Sequence, residues 1–204
     1  MKKLDVFYIS IDDNDESGMD ALSLVREGAV QVDFLCFEEQ KPVQLNFYQE
    51  DKHLVTGIAC RCGFPIYRRN GGYEYYVVFT QEVIEKMVKK YSKQGLFNSI
   101  NLDHNNYSFV KGAYMVESYL IDREKGVNPS QFSEIEDHSW VCTLYIEDEE
   151  LWNEIKNNDN FNAFSLQGMF HLIPEDYQKM EEQHEETFEE WLDALMSELD
   201  DLKN

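Results

Sequence analysis

The stretch Asn162-Ala163-Phe164-Ser165-Leu166-Gln167-Gly168-Met169-Phe170 sets large apolar residues (Phe164, Leu166, Phe170) in alternation with smaller or polar ones (Ala163, Ser165, Gln167). That is the period of a β-strand with one face in a core, and it puts Ser165 on the less apolar face. A serine there is ordinarily a plain strand residue. What precedes it in the chain decides whether it is more.

Immediately upstream, Asp148 is placed to cap a helix that runs through Leu151, Trp152 and Ile155, and Asn157-Asn158-Asp159-Asn160 ends it and delivers the chain into the Ser165 strand. Trp140 to Ile146 reads as another strand, and Arg123 to Asp137 as a loop holding Gly126 and Pro129. Val110 to Asp122 reads as a long strand with Met115, Glu117, Tyr119 and Ile121 facing one way and Tyr114, Val116, Ser118 and Leu120 the other. Both faces are largely apolar, so the strand is expected to be central and Glu117 to be a carboxylate among buried neighbours, which needs a partner to hold its charge. Asn98 to His104 is short, with Ile100, Leu102 and His104 sharing parity.

Farther out, Thr80 caps a helix in which Val83, Ile84, Met87, Val88 and Tyr91 recur at helical spacing, stopping near Gly95. Tyr73 to Phe79 is an aromatic and β-branched strand, joined to Ile66-Tyr67-Arg68-Arg69-Asn70 through an Asn-Gly turn. Leu54 to Cys62 is a strand broken by Gly63 and Pro65. Leu4 to Ile11 alternates as a strand and Asp12 to Gly18 is an acidic loop. Met19 to Phe37 reads as a short apolar segment, a turn at Gly28 and an alternating strand, followed by a connecting stretch, Glu38 to Asp51, with room for one more.

A chain of 204 residues with 43% hydrophobic and 14% aromatic content can bury one substantial core. We divide it into an N-terminal segment (1–50) that packs on or extends the core, a core (51–173), and an acidic tail (174–204). The tail carries twelve Asp/Glu against two Lys, yet Phe188, Trp191, Leu192, Leu195, Leu199 and Leu202 form a helical stripe, so an amphipathic helix is expected there.

With 40 acidic against 18 basic residues the net charge is -22, which argues against nucleic acid held through a broad basic surface and favours a basic partner. A non-catalytic docking protein, or an acidic mimic of nucleic acid, also fits that charge. Asp5, Asp12 and Asp13 interrupt any signal-peptide core, and no stretch approaches a membrane span. Cys36, Cys60, Cys62 and Cys142 are too few and irregular for a disulfide framework, and Cys60-Arg61-Cys62 lacks zinc spacing. Reduced thiols in a cytoplasm, with no metal and no cofactor, are expected.

Three residues carry the chemistry. Histidine is the usual base for a serine hydroxyl near neutral pH, and a carboxylate can hold its tautomer. His104, Glu117 and Ser165 supply that composition, without the G-x-S-x-G elbow of α/β-hydrolases.

The segments Phe79-Thr80-Gln81-Glu82-Val83-Ile84-Glu85-Lys86, Asn101-Leu102-Asp103-His104-Asn105, Val116-Glu117-Ser118-Tyr119-Leu120-Ile121-Asp122, the Trp140 strand and Asn162-Ala163-Phe164-Ser165-Leu166-Gln167-Gly168 together resemble the prohead (procapsid maturation) serine protease family of tailed phages, in its XkdF-like branch. Cys62-Gly63-Phe64-Pro65-Ile66-Tyr67-Arg68-Arg69 is similar to that branch's Pro-Ile-Tyr-Arg segment, and Met19 to Phe37 to its N-terminal block, although Gly28 stands where the block commonly has proline. The likeness spans roughly residues 19 to 173.

It implies an α+β fold related to herpesvirus assemblin, a mostly antiparallel β-barrel core flanked by helices. It implies a serine endopeptidase acting on scaffold protein and major capsid protein inside the procapsid, in the host cytoplasm, as a homo-oligomer without nucleic acid or membrane. Ser165 matches the nucleophile and His104 the general base. Glu117 is our choice for the third member, with Asp122, His138 and His171 as alternatives. His171 shares the parity of Ser165 but, at ~3.3 Å per residue, lies about 20 Å along a straight strand.

Overall fold

The computed structural model describes residues 4–13, 16–25, 46–49, 52–70, 72–105, 109–157, 161 and 163–176. The expected turn at Gly28, the strand that follows it and the acidic tail helix lie outside these residues.

Eleven strands and two helices appear along the described chain: β1 (Asp5–Ser10), β2 (Gly18–Val25), β3 (Asn46–Gln49), β4 (Leu54–Cys60), β5 (Ile66–Asn70), β6 (Tyr73–Val78), α1 (Gln81–Gln94), β7 (Ile100–Leu102), β8 (Ala113–Leu120), β9 (Trp140–Ile146), α2 (Glu149–Asn157), β10 (Ala163–Met169) and β11 (His171–Pro174). They form three sheets, ordered β11-β1-β6-β5, β10-β2-β7 and β3-β4-β9-β8. The pairing is mostly antiparallel, with β1·β6 and β2·β7 parallel. The fold is therefore mostly β with helices. Among the described residues, however, the three sheets are open and do not close into a barrel.

Both helices begin where the sequence supplies a cap. Thr80 accepts a hydrogen bond from Val83 N–H, and Gly95 ends α1 in the left-handed conformation that glycine adopts without penalty. The buried face of α1 is Ile84, Met87 and Tyr91, at the spacing that places them on one side. Asp148 Oδ1 accepts from Leu151 N–H at 2.8 Å and starts α2, whose Leu151, Trp152 and Ile155 enter the same core. Tyr91 meets Trp140 edge to face at 5.7 Å between ring centroids, tying α1 to β9. None of the described helices is long and apolar enough to cross a membrane.

One strand departs from its expected register. Met115 opposes Leu144, yet Glu117, not Val116, opposes Thr143, so Val116 is an extra residue in β8. Such a bulge reverses the parity beyond it. Met115 and Ala113 are buried, while Val116, Glu117 and Ser118 are exposed. Among the described residues, β8 is moreover an edge strand of its sheet. The expectation of a central strand with a buried Glu117 is thus corrected on both counts. The thiols of Cys60, Cys62 and Cys142 are free, and burial pushes all three above their ordinary pKa. No group of three metal-ligating side chains occurs among the described residues.

Candidate active site

The sheet β10-β2-β7 has two unlike faces. Phe164, Leu22, Leu24 and Ile100 enter the hydrophobic core, each removing its side chain from water for about 1.5–3 kcal/mol. On the opposite face the register aligns Ser165 with Ser23, and Ser23 with Asn101, making one polar row across all three strands. Directly opposed residues share a face, with Cβ atoms about 4.5–5.5 Å apart in an antiparallel pair. All three are buried, Ser165 at 7% exposure and Ser23 and Asn101 at 0%.

His104 reaches this row through a tight turn. Asn105 N–H donates to Leu102 O at 2.9 Å, and the two residues between, Asp103 and His104, have φ of 48° and 57°. Two successive left-handed residues turn the chain sharply, and Asp and His tolerate that region better than most side chains do. The turn breaks the parity that the sequence suggested between Leu102 and His104. Instead the imidazole is carried to the polar face, where Nδ1 lies 3.0 Å from Ser23 Oγ.

The row continues to Gln167. Ser23 Oγ donates to Asn101 Oδ1 at 2.5 Å, and Asn101 Nδ2 donates to Gln167 Oε1 at 2.8 Å. Gln167 stands two residues beyond Ser165 on the same face of β10, just before a bulge in the β10·β2 ladder. At that bulge Gly168 lies against the β2 backbone, and a Cβ on it would sit 2.0 Å from Gly18 O, so only glycine fits.

A hydroxyl has one proton to donate. Because Ser23 gives its proton to Asn101, the contact with His104 requires Nδ1 to carry a hydrogen and donate it. In the neutral ring Nε2 is then the basic nitrogen. Surrounding protein withdraws water from the imidazole, although part of the residue is open to solvent, and this lowers its pKa below the ordinary value. The Arg68 guanidinium on β5 lowers it further, while Gln167 and the Asp103 carboxylate act in the opposite direction. Arg68 is itself pulled down by burial and donates through Nη1 to Tyr67 O at 3.2 Å. The ring is accordingly poised to be neutral, and so able to take a proton, at physiological pH.

Ser165 Oγ makes no side-chain hydrogen bond among the described residues, although it is buried beside this network. No hydrogen bond joins it to His104. The two residues meet through Ser23, which opposes Ser165 in the ladder and contacts the ring.

The remaining sequence candidates lie elsewhere. The Glu117 carboxylate accepts from Thr143 Oγ1 at 2.5 Å on the sheet β3-β4-β9-β8, and Thr143 Oγ1 is 2.9 Å from Thr56 Oγ1. Asp122 closes an isolated bridge with Val127 and pairs with Lys125 in the loop after β8. His138 begins the approach to β9 with φ of 62°, its N–H bonded to Ile121 O. His171 opens β11 opposite Ser10, at the edge of the first sheet. Among the described residues, the side chain that His104 meets at hydrogen-bond distance is Ser23.

Sequence reasoning passed over Ser23, Asn101, Gln167 and Arg68. A signal existed for Ser23, which is flanked by Leu22 and Leu24 as Ser165 is by Phe164 and Leu166. Two serines at matched positions of two alternating strands are what an antiparallel pair would bring face to face.

Residues 43–174 match the model of a family described as "Putative phage serine protease XkdF". No curated protein and no solved structure matches the chain.

Proposed function

The chain belongs to the XkdF family of phage serine proteases, and from that premise we propose that it is a serine endopeptidase with Ser165 as nucleophile and His104 as general base. The observation that carries this reading is a buried Ser165 hydroxyl, without a side-chain partner among the described residues, in one row with a histidine whose pKa burial lowers. The Ser165 oxygen attacks the scissile carbonyl carbon while its proton passes to His104 Nε2. The ring returns that proton to the departing amine as the C–N bond breaks, and water repeats the sequence to release the acyl group. Movement of the ring toward Ser165 when substrate binds is in keeping with catalytic hydrogen bonds that tighten only in the loaded site.

The substrates in this reading are scaffold protein and extensions of the major capsid protein, cut inside the procapsid in the host cytoplasm. Self-association is part of it. The charge of -22 supports an encounter with basic scaffold segments.

Two measurements test the proposal. A fluorophosphonate should label the chain at Ser165, as read by mass spectrometry of its peptides. Ser165→Ala should abolish cleavage of the cognate scaffold and capsid proteins while the fold persists. Undiminished cleavage by that variant overturns the assignment. A chain that never labels or cleaves, yet still binds scaffold, favours a docking role on the protease fold.

A further inference from the structure

We infer that Ser23 and Asn101 together do the work of the third triad member, fixing the tautomer and direction of the His104 ring without a carboxylate. The inference rests on the Ser165–His104 reading for its catalytic meaning, but its geometry stands alone. Ser23 accepts from Nδ1–H at 3.0 Å only because its own proton is committed to Asn101 Oδ1 at 2.5 Å. Asn101 is committed in turn, since its Nδ2 donates to Gln167 Oε1. Reversing any one bond would leave two buried donors or two buried acceptors facing each other, at a cost of about 1–3 kcal/mol. The register backs the arrangement, because β2 and β7 are parallel and place Ser23 and Asn101 opposite each other.

This device differs from a carboxylate in one respect. A carboxylate orients the ring and also stabilises the imidazolium by charge. The Ser23–Asn101 pair orients through neutral dipoles, so the ring stays readily deprotonated. The charged groups acting on it are Arg68 from β5 and Asp103 from its own turn, with opposite effects. Ser23 also lies outside the span 43–174 that matches the family model, whereas Asn101 lies within it. The N-terminal strand β2 therefore contributes a positioning residue as well as the middle of the sheet.

The test uses the full chain labelled with 15N-histidine, with the His104 signals identified by their loss in His104→Gln. In the wild type the ring should be a neutral Nδ1–H tautomer with an unprotonated Nε2. In Ser23→Ala it should relax to a mixture, with kcat/KM down about 10- to 100-fold through kcat and Ser165 still labelled by fluorophosphonate. A wild-type ring protonated at Nε2 instead of Nδ1 overturns the inference without any variant. So does a Ser23→Ala ring and rate equal to wild type. A fluorophosphonate adduct on Ser23 overturns it too, by making Ser23 the nucleophile. A wild-type chain with the expected tautomer but no adduct on Ser165 leaves the positioning intact and defeats the protease reading instead.

Discussion

Two polar rows cross two sheets of this protein, and they end differently. On β10-β2-β7 the row Ser165, Ser23, Asn101 is joined by His104 and, among the described residues, leaves the Ser165 hydroxyl without a side-chain partner. On β4-β9-β8 the row Thr56, Thr143, Glu117 runs hydroxyl to hydroxyl to carboxylate. Thr143 donates to Glu117, so Thr56 must donate to Thr143, and every proton is spent. A charged acceptor at the end of a chain saturates it. The serine row instead contains an uncommitted hydroxyl beside a base, which is what reactivity needs. Side-chain composition alone did not separate the two rows, because each offers buried hydroxyls and a titratable group.

The largest expected effect breaks the serine row at its free end. Ser165→Ala should lower peptide cleavage by ~10³-fold or more, since the nucleophile and base act as a unit. Its unfolding midpoint should stay close to wild type, because the lost hydroxyl has no side-chain partner among the described residues. A large loss of stability with cleavage retained would show that Ser165 is structural and that the two rows do not differ as argued.

Gly168→Ala comes next. The new Cβ would collide with the Gly18 carbonyl on β2, and backbone, unlike a flexible side chain, cannot yield cheaply. A destabilisation of about 1–3 kcal/mol is expected, together with loss of the Gln167 contact that holds Asn101. Denaturant melts and the cleavage rate should fall together. A stable variant with full activity would mean that the bulge does not position Gln167.

How much of this was legible in sequence follows from the range of the interactions. The caps at Thr80 and Asp148, the buried stripe of α1 and the polar face of the Ser165 strand are local patterns, and each appears as read. The two faces of β8 were misread beyond Val116 because a bulge adds one residue without any glycine or proline to announce it. Ser23 escaped notice for another reason. It contacts a histidine 81 positions away, and only the pairing of β2 between β10 and β7 brings them together. Nor does alternation within strands reveal whether sheets close, and a barrel and three open sheets have the same period of two.

The threonine row should respond in stability and not in rate. Thr143→Val keeps the shape of a fully buried side chain but strands the Thr56 hydroxyl and removes the donor to Glu117. A destabilisation of about 1–2 kcal/mol is expected, with cleavage unchanged. Glu117→Gln sharpens the point, since it should leave the rate within about twofold. A collapse of kcat in Glu117→Gln would restore Glu117 as the third member and overturn the division of labour between the rows.

The smallest effect concerns the charge beside the serine row. Burial, and after it Arg68, lowers the His104 pKa. The ring works as a base only when neutral, so kcat/KM should rise through an acid limb whose midpoint lies below about 6.5, the value of a free histidine. Arg68→Gln removes the second cause and leaves the first, so the limb should move upward without changing the plateau above it. At a pH on the limb the variant is slower than wild type, and at pH 8 the two are equal. Measuring kcat/KM from pH 5 to pH 8 checks the sign. A limb that moves downward would mean that Arg68 supports the imidazolium, and hence that a negative group near it, and not the neutral Ser23–Asn101 pair, governs the ring.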